Sequence, residues 1–135
     1  MMKSYDDTIR YTTDTPDIVK DDVLDPIDYQ YKGKRDIIIT ISQPEFTSVC
    51  PMTGLPDFGI ITVKYIPGEK IVELKSFKYY LMQYRNVGIY YEHLSNKILD
   101  DLVSVLAPEW MQVTGDFTAR GGVSTSVCAE YGERK

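Results

Sequence analysis

The hydrophobic period of this chain runs at two, lengthens to between three and four, and returns to two. Those changes mark out its elements. The segment "RDIIITISQ" (residues 35–43) is dense in β-branched residues and predicts a strand. "GIITVKYI" (residues 59–66) alternates and predicts a second. "PGEK" is a turn in which Gly68 is free to take a positive φ, and "IVEL" (residues 71–74) predicts the return strand of a hairpin. Phe77, Tyr80, Leu81 and Tyr84 then recur at spacings of three and four, which predicts a helix over about residues 76–85. Leu94, Ile98, Leu102 and Leu106 predict a second over residues 91–106, with Leu99 and Val103 widening its apolar stripe. Asn86 to Gly88 separates the two helices, and Pro108 stops the second. "WMQVTGDFTA" (residues 110–119) and, after "RGG", "VSTSVCAEY" (residues 123–131) alternate again and predict two last strands.

Hairpins bracketing a helix pair make an α+β fold, not a doubly wound parallel sheet. Four antiparallel strands with helices on one face leave two open edges. Open edges invite pairing, so a homo-oligomer that closes them is expected. Residues 1–33 show no sustained period and read as a partly ordered acidic arm. Residues 34–135 read as one domain.

The acid is concentrated in that arm. Before residue 30, Asp6, Asp7, Asp14, Asp17, Asp21, Asp22, Asp25 and Asp28 face only Lys3, Arg10 and Lys20, within a total charge of −5. No basic stripe is present, so direct nucleic-acid binding is not expected. No apolar run reaches the length of about 18 residues that a membrane span needs. Two cysteines and no secretory pattern point to free thiols in the cytoplasm.

Cys50 stands in the turn "TSVCP", seven residues before Asp57 in "LPDFG". A small buried hydrophobe and a reactive thiol are both open readings. The second needs a fixed loop, a nearby acid and partly apolar walls. Asp57 is either a turn former or a general acid walled by Leu55 and Phe58. Cys128, between Val127 and Ala129, reads as a buried strand residue. Glu92 opens the second helix, where the macrodipole favours it. It also suits a bidentate acceptor for ring N–H groups between Tyr90 and Tyr91. His93 is the only histidine and neither cysteine has a metal-ligand spacing, so no metal site is expected. Arg120, Gly121 and Gly122 form either a flexible turn or an approach to a phosphate. Lys75 and Lys78 form either a solvated face or phosphate contacts.

Four pieces occur in order over residues 43–122: "PEFTSVCPMTGLPDFG", "ELKSFKYYLMQYRN", "YYEHLSNKILDDL" and "ARGG". Together they resemble the NADPH-dependent 7-cyano-7-deazaguanine reductases, the QueF family, in their single-module form. Glu73 to Tyr80 fits that family's signature E-[SL]-K-[SA]-x-K-[LY]-[YFW] at every position. The resemblance implies a tunnelling fold, whose ββααββ modules assemble into β-barrel rings with active sites between subunits. It implies reduction of a deazapurine nitrile to a primary amine with two NADPH, in the making of the tRNA nucleoside queuosine. It assigns Cys50 as the nucleophile that forms a covalent thioimide, and Asp57 as the proton donor. Glu92, Glu73 and the backbone at Val72 and Leu74 become substrate contacts, with Tyr91 beside them. Leu74, Lys75, Arg120 and Gly121 become cofactor contacts. One position departs: the family usually has His immediately before the substrate Glu, where this chain has Tyr91. That role does not pass to His93 by proximity.

Three other functions compete. A zinc-dependent pterin or purine enzyme of the same fold, like a GTP cyclohydrolase, requires His and Cys ligands. A non-catalytic ring-forming binder tolerates loss of Cys50. A thiol hydrolase works without NADPH.

Overall fold

The computed structural model describes residues 11–134; the first ten residues of the acidic arm lie outside it. Four strands form one antiparallel sheet in the order β2-β3-β5-β6. They are β2 (Ile39–Val49), β3 (Pro56–Ile66), β5 (Trp110–Arg120) and β6 (Val123–Gly132). Two helices, α1 (Leu74–Met82) and α2 (Tyr91–Leu106), follow β3, and a 3-10 turn at Gln83–Asn86 ends the first. The second helix packs on β5 and β6. Its residues Leu94, Ile98, Leu102 and Leu106 are fully buried against Ile61, Val63, Tyr65, Met111 and Val113 from one face of the sheet. Each of those large side chains contributes on the order of 1.5–3 kcal/mol by leaving water. Ala107 ends α2 in the left-handed region (φ 46), one residue before Pro108, which blocks a further turn.

Three expectations change. First, β2 runs six residues past the predicted end at Gln43. Pro44 lacks an N–H, but β2 is an edge strand and a bulge between Gln43 and Phe46 absorbs it. Second, the segment after "PGEK" does not return along β3. Both sides of β3 are already taken, by β2 over residues 39–49 and by β5 over residues 110–117. The short β4 (Lys70–Val72) pairs instead with β1 (Pro26–Asp28), and the Val72 N–H donates to the Tyr65 hydroxyl at 3.1 Å. The first hairpin is therefore β2–β3, closed by the loop that carries Cys50.

Third, the arm is docked where it is described. Val19 and Leu24 enter the same core as the helices. The Glu73 N–H donates to the Asp25 carbonyl, and the Asp25 N–H donates to the Ser76 hydroxyl, both at 2.9 Å. Gln83 holds both backbone groups of Lys20. The arm's few apolar residues follow no period, which is why the pattern alone left it undocked.

Candidate active site

The end of β2 is gripped from both sides. On one side Ser48 pairs with Asp57 and Val49 with Pro56 of β3. On the other, the Val49 N–H donates to Val87 and the Ile89 N–H donates to Val49, so residues 87–89 run alongside. Those residues lead directly into the N-terminus of α2. One strand end thus places the Cys50 loop beside both Asp57 and Glu92.

The loop itself is tight. The Cys50 N–H donates to the Leu55 carbonyl at 2.9 Å, and the Gly54 N–H donates to the Cys50 carbonyl at 2.8 Å. Gly54 takes φ +79 with the Tyr11 Cβ and carbonyl packed against it, a place where any side chain is strained. The turn aims donors at the sulfur. Partial burial pushes the Cys50 thiol up, and the Asp57 charge adds to that. Hydrogen bonds from the Thr53 hydroxyl and from the backbone of Thr53 and Met52 outweigh both, and the thiol lies below its ordinary value.

Asp57 lies on the helix-facing side of β3, buried, in an ion pair with Arg120 of β5. The Arg120 guanidinium also donates to the Pro56 carbonyl at 3.1 Å. Leu55 and Phe58 do not wall Asp57. Both are exposed: Phe58 because successive side chains of a strand point to opposite faces, and Leu55 because it lies in the loop before β3 begins. The wall is Tyr91. Its ring stacks on Phe117 with centroids 3.8 Å apart and planes 6° apart. Phe117 sits where two glycines make room: a Cβ on Gly59 or on Gly115 would come within 2.7 Å of its ring. Burial pushes the Tyr91 phenol up to about 12, with the facing Asp57 carboxylate the next cause, so at neutral pH Tyr91 acts as a donor.

Cys50, Pro51, Asp57, Tyr90, Tyr91, Glu92 and Arg120 line one open cavity of about 370 Å³. That size suits a small flat ligand. Glu92 is exposed at its mouth, on the second residue of α2.

The other sequence-assigned residues lie elsewhere in this chain. Glu73 caps α1, its carboxylate accepting from the Lys75 and Ser76 N–H groups at 2.8 Å. Val72 is buried in β4, while Leu74 and Lys75 are exposed on the first turn of α1. Gly121 sits in the β5–β6 turn at φ +59, with open space around it. His93 is exposed and edge-on to Tyr90 at 6.1 Å, outside the cavity lining. Cys128 is exposed on β6, not buried, and both cysteines are free. Among the described residues no cluster of three or more His, Cys, Asp or Glu is placed to hold a metal.

Sequence reasoning missed Thr53, Phe117 and the two glycines beneath it. Glycines inside alternating strands were the available signal, since they mark close approach by another group.

Comparison with known proteins bears on the same residues. Residues 56–135 match the family model described as QueF-like protein. A curated NADPH-dependent 7-cyano-7-deazaguanine reductase from Chloroherpeton thalassium is 52% identical over 117 residues, covering 87% of this chain and all of that one. One of the same name from Caldicellulosiruptor bescii is 56% identical over 82% of this chain and 83% of its own. Among solved structures, the apo form of the archaeosine synthase QueF-Like matches with a TM-score of 0.68 at 26% identity. That match covers 76% of this chain and all of that one.

Proposed function

We infer the reaction from one premise: the chain belongs to the QueF family, whose curated relatives are NADPH-dependent 7-cyano-7-deazaguanine reductases. It is an oxidoreductase that reduces the nitrile of a 7-cyano-7-deazaguanine to the aminomethyl group, within queuosine biosynthesis. The observation that carries this reading is the cavity itself. It gathers a thiol held below its ordinary value, a buried carboxyl and an exposed carboxylate within one space.

Glu92 accepts the paired N–H groups on the edge of the deazaguanine, and the rings of Tyr90 and Tyr91 orient its flat face. The Cys50 sulfur attacks the nitrile carbon. The S–C bond forms as one C–N π bond breaks, and Asp57 passes a proton to the nitrogen to give a neutral thioimide. Two NADPH, bound one after the other, would each supply one hydride, and with two protons these account for the change from nitrile to primary amine as Cys50 is released as thiolate. This chain's residues suit such a cofactor. Arg120 lies half-exposed at the cavity, and Gly121 and Gly122 leave open backbone beside it for a phosphate. Lys75 stands exposed over the Tyr79 ring and is a further phosphate contact, reached from a neighbouring subunit.

The test omits NADPH. Protein is mixed with 7-cyano-7-deazaguanine and examined by intact-mass spectrometry. A single adduct of substrate mass, lost in Cys50→Ala and formed more slowly in Asp57→Asn, is the expected result. No adduct on the unsubstituted chain refutes the nucleophile. Unchanged kinetics in Asp57→Asn refute the proton donor.

A further inference from the structure

Ser48 is completely buried, and its hydroxyl has no hydrogen-bond partner among the described residues. A buried hydroxyl left unmade costs roughly 1–3 kcal/mol, so alanine at this position should be the more stable choice. The serine therefore calls for a reason outside the resting fold. It lies two residues before Cys50 and directly opposite Asp57 in the β2–β3 ladder. Residues directly opposite in an antiparallel pair project from the same face, with Cβ atoms about 4.5–5.5 Å apart. Ser48 and Asp57 thus share the helix-facing side of the sheet, beneath Tyr91.

In this chain Asp57 is held by Arg120, and both side chains line the cavity that the substrate enters, so substrate binding alone can part them. To hand a proton to the nitrile nitrogen, the Asp57 carboxyl must turn away from Arg120. Once that proton is given away, a buried carboxylate remains and needs donors. The Tyr91 phenol is one.

We propose that the Ser48 hydroxyl is the second: Ser48 is a positioning residue that turns onto the Asp57 carboxylate when Arg120 leaves it, aiming the acid at the Cys50 adduct. No bond to substrate is involved, and the only chemical event is the proton passing from the Asp57 carboxyl to the nitrile nitrogen. The proposal rests on the reductase reading above.

The test compares the rate of Cys50 adduct formation with 7-cyano-7-deazaguanine in four full-length proteins: unsubstituted, Ser48→Ala, Asp57→Asn and the double variant. Ser48→Ala should slow the adduct roughly tenfold or more, the scale of a hydrogen bond to a charged group. The substrate concentration for half-maximal rate should not move, and the melting temperature should hold or rise. In the Asp57→Asn background the same substitution should have almost no further effect, because Ser48 acts through Asp57. Ser48→Thr keeps the hydroxyl and should recover most of the rate. The proposal is overturned if the two losses multiply in full, if Ser48→Ala leaves the rate unchanged, or if it lowers the melting temperature while Asp57→Asn adds its loss independently. Absence of any adduct on the unsubstituted protein brings down the reductase reading itself, an outcome visible before any variant is compared.

Discussion

Cys50 is pulled in opposite directions, and the turn after it decides the outcome. Burial raises the thiol; donors from Thr53 and Met52 lower it further than burial lifts it. A lowered thiol has a larger thiolate fraction at neutral pH, so Cys50 should alkylate faster than the exposed Cys128 wherever access is comparable. Thr53→Val keeps the shape of the side chain and removes one donor. The pH midpoint of iodoacetamide labelling at Cys50 should then move up towards that of an ordinary thiol, and the labelling rate at neutral pH should fall. A midpoint that stays put would mean the backbone of the turn suffices alone. At this scale much was legible beforehand: "TSVCP" and "LPDFG" are short motifs whose chemistry depends on local residues. Ser48 was not legible, because its meaning comes from a cross-strand partner nine residues away and a hydroxyl that only a folded core can isolate.

Among the elements, those held by their own period were readable and those held by a distant partner were not. The helix Tyr91–Leu106 coincides with its apolar repeat because i, i+4 burial is written along one strip. By contrast β4 carries strand-forming residues whichever neighbour it takes, and its pairing with β1 depends on β3 being full on both sides. The Tyr91–Phe117 stack is a similar long-range feature. It joins a helix N-terminus to β5 through space that Gly59 and Gly115 leave clear. The two glycines are not equivalent. A Cβ at Gly115 meets the Phe117 ring and the Ser95 hydroxyl, whereas one at Gly59 also meets the Asp116 carbonyl at 2.8 Å, and backbone cannot swing aside. Gly59→Ala should therefore cost about 1–3 kcal/mol in urea unfolding, as overpacked cores do, with Gly115→Ala costing less. Both should slow the Cys50 adduct, because displacing Phe117 unseats the tyrosine that faces Asp57. Equal stability of Gly59→Ala and the unsubstituted chain would show that the ring has room to retreat.

At the scale of the whole molecule, one chain looks incomplete. Apart from the bridge of Val49 to residues 87–89, the edge strands β2 and β6 have no outer partner among the described residues, and Phe58, Ile60 and Val123 leave apolar side chains exposed near them. The site has the same character. Cys50, Asp57, Glu92 and Arg120 share a cavity, yet Glu73 lies outside its lining with its carboxylate turned onto its own helix. If Glu73 touches substrate, it does so from a neighbouring subunit, and that makes the assembly testable through activity. Cys50→Ala and Glu73→Gln should each abolish or strongly reduce turnover alone. Unfolding the two together and refolding them as a mixture should recover activity. A Glu73→Gln chain keeps its thiol and borrows an intact Glu73 from a Cys50→Ala neighbour, in on the order of one quarter of interfaces for equal random mixing. A homo-oligomeric mass in solution together with no recovery would place Glu73 in the same chain as the thiol it serves. In that case its helix cap would have to open each time substrate binds, at a cost of about 1 kcal/mol in helix stability.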